Sequence, residues 1–298
     1  MVTNLTSTER ARGLAIAGAG VLTGLAIALV GRDDPMAMHG WIILLFCGVL
    51  SFVIGDTLFD AEPVEDRSLS YSDDPSKVGI LLALVWAVVG MGMGVWVASQ
   101  STRPDLRFDA AWSGFGRTRQ LHTSGVIFGF GGIALIATSY HIMQRTSRAR
   151  MPDQVSPWFV VLGFIRFCAV AASGCPIGVT QSKEYAESEW YAVLWLVIVW
   201  VVHFVLYIST LAHRNEPHVH VASWSDLSFI LVVAILHIVN NRAIPASLTG
   251  AKSYCAVSGV QDAMVQWWSG HSAVAFFLTT GFVGMLYYFL PKRAGRPI

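Results

Sequence analysis

Histidine is the side chain best placed to do chemistry within this sequence, and two of its nine histidines carry suggestive neighbours in long apolar runs. His271 is the only histidine or charged group in roughly 25 nearly continuous apolar residues between Met264 and Leu290, enough to cross a bilayer. An ionisable group in lipid costs several kcal/mol, so such residues face a bundle interior, where they pair, relay protons or hold a cofactor. Gly270 and Ser272 flank it, and Trp267 and Trp268 lie one turn earlier at interface depth. A lone buried histidine bonded to a neighbouring helix would leave the same trace. His122 opens a second run, with Gly125, Gly129 and Gly132 following at helical spacing on one predicted face. A histidine above such a stripe can hold a flat macrocycle close to the helix backbone; a small-residue stripe for helix packing is the alternative. Both histidines fall near the same predicted membrane face, which favours a shared cofactor layer. Arg119, three residues before His122, can pair with an anionic group there, either a macrocycle propionate or a lipid phosphate. Glu184, Glu187 and Glu189 form a carboxylate cluster able to bind a hard cation such as calcium, or simply to solvate a loop.

The elements that must position these groups are membrane spans. With 54% hydrophobic and 13% charged residues, the chain has about half the charge density of a soluble domain, which is near 25%. Eight apolar segments are expected, at about 13–31, 38–56, 78–99, 122–143, 157–179, 191–211, 226–244 and 264–290, each near the ~20 residues a spanning helix needs. The fold class predicted is therefore all-α, a polytopic transmembrane helix bundle. The first run follows Arg10 and Arg12 without a small-residue cleavage site, so it is expected to be retained. With the N-terminus in the cytoplasm, eleven Lys and Arg fall on the inner side and eight on the outer, with Arg166 inside a span, a modest positive-inside bias. Residues 1–60 read as an N-terminal hairpin, 61–77 as an acidic connector and 78–298 as the working core. A net charge of +1 excludes a nucleic-acid partner. Four cysteines without CxxC spacing predict neither a disulfide frame nor a zinc site. No phosphate loop, Ser/His/Asp grouping or paired intramembrane carboxylates appear, which excludes hydrolase and nucleotide-driven chemistry. His237 with Asn240 and Asn241 predicts a polar network at one helix end.

The strings LHTSGVIFGFGGIALIATSY, GVTQSKEYAESEWYAVLWL, HRNEPHVHVASW, LHIVNN and SGVQDAMVQWWSGHSAVAFFLTTGFVGMLYYFLPK together resemble the catalytic subunit I of the C-family haem-copper oxidases, the cbb-type cytochrome c oxidases of bacterial respiration. The resemblance covers roughly residues 78–298. It implies that His122 is one axial ligand of a low-spin haem b, with Arg119 near its propionates. It implies that His271 is the first of three copper ligands at the catalytic centre beside a high-spin haem b. It further implies that Glu184 and Glu187 lie at a calcium site and Tyr287 on the proton-input side. The expected partners are c-type cytochrome subunits, membrane lipid and dioxygen as substrate, in a bacterial inner membrane.

Several positions depart from the family pattern: Gln120, Ser269, Pro176, the charged Arg166 and the titratable His203. The family also continues past the position of Ile298 with helices bearing the remaining haem and copper ligands. The chain is accordingly expected to be a truncated portion of that subunit, inactive by itself. A nitric oxide reductase subunit, a non-catalytic haem b protein or inactive remnant, and a transporter or structural bundle are the competing readings.

Overall fold

The structure, a computed structural model, describes residues 5–56, 71–108 and 110–296. Among the described residues, eight helices are long and apolar enough to cross a membrane: α1 (Ser7–Val30), α2 (Asp34–Asp56), α3 (Asp74–Thr102), α4 (Phe115–Ser147), α5 (Val155–Ile177), α6 (Trp190–Ala212), α7 (Val221–Asn240) and α8 (Gly259–Ala294). They correspond one to one with the eight apolar runs. Most begin or end some residues beyond those runs, because polar segments such as Phe115–Leu121 continue the helix past the hydrocarbon-length stretch. The all-α expectation holds, with one addition among the described residues: a short antiparallel hairpin, β1 (Ala243–Pro245) with β2 (Ser253–Cys255), between α7 and α8. Buried Glu189 secures it, accepting hydrogen bonds from Lys252 Nζ at 2.9 Å and the Ser253 amide at 2.8 Å. Glu189 thus serves the hairpin and not a cation cluster.

Helices α1 and α2 pack chiefly on each other. A Cβ at Gly24 would fall 2.6 Å from the Leu44 amide nitrogen, and one at Gly40 would fall 2.4 Å from that of Ala28, so only glycine permits this backbone contact. Buried His39 of α2 ties the hairpin to the rest, with Nδ1 at 2.5 Å from the Tyr191 hydroxyl and Nε2 at 3.1 Å from Ser173 Oγ. The last residues of the predicted hairpin, 57–60, and residues 61–70 of the acidic connector lie outside the described part. Its end is anchored: Arg145 of α4 donates to both Asp73 oxygens, at 2.9 and 2.7 Å, just before α3 begins.

Arg145 holds the Asp73 carboxyl below the usual aspartate range, chiefly through these hydrogen bonds. The stabilisation is therefore present above the ordinary aspartate pKa of about 4 and lost as pH falls through the lower folded value. Asp73→Asn is expected to cost about 1–2 kcal/mol at neutral pH. Thermal melting of the membrane-embedded protein should show the variant and the parent converging in acid.

Helix α4 is the central element, with 67% of its spanning window buried against 17% for α3 and 22% for α8. Its Tyr140 meets Phe164 of α5, Tyr207 of α6 and Phe229 of α7 in a fully buried core. Two sequence oddities are accommodated locally. The Arg166 guanidinium lies 3.9 Å from the Trp195 ring centroid, a cation–π contact that partly replaces water around a charge at membrane depth. Pro176 sits in the last turn of α5, where its carbonyl accepts from Arg117 Nη1 at 2.5 Å and the chain turns at Gly178, φ 76°.

Candidate cofactor-binding site

The site is built where α3 crosses α4. His122 Nδ1 lies 2.8 Å from the Gly90 carbonyl oxygen. A carbonyl can only accept, so Nδ1 carries the hydrogen and, in the neutral ring, Nε2 keeps its lone pair. Among the described residues nothing bonds to Nε2. This is the arrangement of a metal-ligating histidine, with one nitrogen fixed by a backbone acceptor and the other available. Gly94 makes it possible: a Cβ there would lie 2.6 Å from His122 Cε1 and 2.7 Å from Nδ1. Gly90 and Gly94 escaped the sequence reading, although their four-residue spacing in α3 was the usable signal.

The predicted glycine face needs correction. Gly125 and Gly129 do lie toward α3, but a Cβ at Gly125 would lie 3.6 Å from Gly90 Cα, and one at Gly129 would strike the Trp86 ring at 2.6 Å. Gly129 packs against Trp86, whereas Gly125 also lines a cavity. Gly132 leaves the face altogether, turning to Phe164 at 2.9 Å and Phe277 at 3.3 Å. The cause is a π-helical stretch over Gly125–Gly132, whose wider turns delay the phase that a 3.6-residue period assumes. A second π stretch, Val274–Thr280, follows His271 in α8.

At the opposite face from the N-terminus, Arg119 Nη1 pairs with Glu184 Oε1 at 2.9 Å, so two predicted site residues meet each other. Glu187 is buried; Ser124 Oγ donates to one carboxylate oxygen at 3.4 Å and the other oxygen has no partner. Burial pushes this carboxyl up, against the opposing effect of backbone hydrogen bonds. Glu187 lines a cavity of about 470 Å³, open mouth included, together with Trp86, Phe128, Cys168, His237 and Asn241. The expected polar network is present there in part: His237 Nε2 lies 3.2 Å from the Val193 carbonyl and Asn241 Nδ2 3.1 Å from His237 Nδ1, while the buried Asn240 Oδ1 has no partner. Lys183, buried, pairs with Asp262 at 2.7 Å. Among the described residues no cluster of three or more His, Cys, Asp or Glu is disposed to hold a metal ion.

His271 is exposed on α8, its ring 6.4 Å from that of Trp267, and Tyr287 is exposed on the same helix. His122 is engaged with α3, and no contact between the two imidazoles occurs among the described residues.

A profile described as "Cytochrome C and Quinol oxidase polypeptide I" matches residues 74–298. Over 280 residues the chain is 49% identical to a protein named cytochrome c oxidase subunit 1 homolog from Azorhizobium caulinodans, covering 92% of this chain and 51% of that one. It is 47% identical over 272 residues to the bacteroid homolog of Bradyrhizobium diazoefficiens, covering 89% and 49% of the two chains. A Stutzerimonas stutzeri protein named Cbb3-type cytochrome c oxidase subunit CcoN1 is 48% identical over 231 residues, covering 78% and 48%. The chain spans about half the length of the curated relatives it matches.

Proposed function

Because the chain belongs to the cytochrome c and quinol oxidase polypeptide I family, we propose that it forms part of the catalytic subunit of a cbb-type terminal oxidase in a bacterial inner membrane. In this reading c-type cytochrome subunits deliver electrons, dioxygen is reduced to water and protons cross the membrane. Low-spin and high-spin haem b and copper, when bound, supply the electron transfer and the oxygen chemistry.

The observation that carries the reading is His122, with Nδ1 committed to Gly90 and Nε2 unengaged. His122 would hold the low-spin haem iron through Nε2, while the Gly90 carbonyl fixes the ring plane and raises its basicity. Arg119 would face the propionates, released from the Glu184 carboxylate with which it pairs here. His271 would be one copper ligand. A single imidazole cannot complete a copper site, so the further ligands would come from elsewhere in the subunit. The unpartnered oxygen of Glu187 favours a cation, calcium in this family, at the outer cavity; Glu184 would join it by leaving Arg119.

Replacing His271 tests the catalytic part of the reading. In the complete oxidase, His271→Ala is expected to retain haem and to lose copper and turnover. Unchanged copper content by metal analysis would refute the assignment.

A further inference from the structure

Toward the face that carries the N-terminus, a group of buried titratable side chains serves none of the roles above. Tyr140 of α4, His203 and Tyr207 of α6 are fully enclosed, and Asp226 of α7 is 3% exposed. Tyr207 donates from its hydroxyl to Asp226 Oδ2 and to the Ser223 carbonyl, each at 3.3 Å. One turn along α6, His203 Nδ1 lies 3.1 Å from the Tyr140 hydroxyl. His203 Nε2 is buried with no partner. Whichever tautomer is present, that nitrogen is left with an unused donor or an unused lone pair, at a cost of about 1–3 kcal/mol.

Asp226 has no cationic partner among the described residues. Helix α8 covers it with Gly284, where a Cβ would approach Asp226 Oδ1 to 3.3 Å. The cations and titratable groups nearest on the surrounding elements are engaged nearer the membrane face. Arg145 and His141 of α4 sit on Asp73, Lys292 of α8 lies over the Tyr288 ring, and His220 caps the start of α7. Depth separates the members: Asp226 is five residues into α7, about 7.5 Å, and His203 nine residues from the end of α6, about 14 Å, near mid-membrane. A polar step leads to them from the face, since Ser223 Oγ lies 3.0 Å from Thr146 Oγ1 beside the half-buried His220.

A carboxylate ion at that depth with one phenol donor would be uncompensated, whereas a carboxylic acid is tolerable there. A fully packed pair would leave no vacant nitrogen one turn deeper. We propose that Asp226 and Tyr207 form a proton-exchanging site inside the bundle, filled from the N-terminal face, with His203 as its inner acceptor. In the step assigned, the Asp226 carboxyl proton passes through the Tyr207 hydroxyl and a bridging water to His203 Nε2 and returns by the same route, so that carboxylate and imidazolium exist only as a pair. Exchange with solvent takes place at the carboxyl, with water at the face, by way of Ser223 and Thr146. Each transfer moves one proton and leaves no charge stranded at mid-membrane. The proposal does not depend on haem or copper being bound.

Infrared spectroscopy of the membrane-embedded protein in light and heavy water tests this. The parent protein is expected to show a protonated-carboxyl stretch that shifts promptly on transfer to heavy water and is missing in Asp226→Asn. Isotope-labelled aspartate in the unsubstituted protein identifies the band if that variant does not fold, and separates it from buried Glu187. Tyr207→Phe is expected to slow the shift tenfold or more, and His203→Phe to move the band's pH midpoint. Absence of an aspartate carboxyl band, or a band that stays unshifted for hours, would overturn the proposal. An unaltered rate in Tyr207→Phe, or an unmoved midpoint in His203→Phe, would overturn the role given to that residue.

Discussion

His122→Ala in the complete oxidase is expected to abolish the low-spin haem absorbance while the eight-helix bundle still assembles. The two parts of this expectation have different physical origins. What the fold loses is chiefly one hydrogen bond, Nδ1 to the Gly90 carbonyl at 2.8 Å, worth about 1 kcal/mol net. That is small beside a typical stability of about 5–15 kcal/mol. What the site loses is the lone pair on Nε2, and no other described side chain stands ready to replace it. Reduced-minus-oxidised spectra, read beside total protein in the membrane fraction, separate the two. A low-spin signal of normal intensity in the variant would remove His122 from the haem site.

Gly94→Ala, a single added methyl, is expected to weaken haem retention severalfold to a hundredfold without touching any ligand. The methyl carbon would sit 2.6 Å from the imidazole, far inside the ~3.5 Å at which carbon atoms rest against each other. The ring must then leave its rotamer and release the Gly90 carbonyl. Each of these costs about 0.5–1.5 kcal/mol, and every 1.4 kcal/mol is tenfold in an equilibrium constant. Gly92→Ala is the matched control, because nothing lies within 4 Å of a Cβ at that position. Its helix should tolerate or even welcome alanine, by up to about 1 kcal/mol. Haem titration of the two variants side by side decides the matter. Equal haem content in Gly94→Ala and Gly92→Ala would mean that His122 is free to relax, and that the α3 contact does not hold the ring.

Much of the architecture was legible in the residues alone. Eight apolar runs became eight helices because length and hydropathy are properties of the local sequence, and lipid leaves an unpaired backbone no other option. Arg166 was recognisable as a charge needing compensation, and its stacking on Trp195 is one answer that spacing could not supply, since the two residues lie on different helices. The glycine stripe below His122 shows where periodic reasoning stops. A 3.6-residue period placed Gly132 beneath the histidine, yet the π turns rotate it toward Phe164 and Phe277. Turn width within a helix responds to what packs against it, and no local pattern in GVIFGFGG announces it.

The carboxylates divide in the same way. Glu184, Glu187 and Glu189 look equivalent as a spaced cluster, but tertiary contacts give them three fates: an ion pair with Arg119, a buried oxygen without a partner, and a clasp on the β1–β2 hairpin. From its sequence alone this protein is determined to be a membrane bundle with imidazoles at membrane depth and a recognisable oxidase-like order of motifs. Only the tertiary structure decides that His122 turns Nδ1 to Gly90 and leaves Nε2 free, and that Asp226, Tyr207 and His203 gather in one enclosed group. Composition fixes what each segment can bury, because transfer into lipid is summed residue by residue. Which atoms then meet depends on helix phase and crossing, and those are set by contacts between residues far apart in the chain.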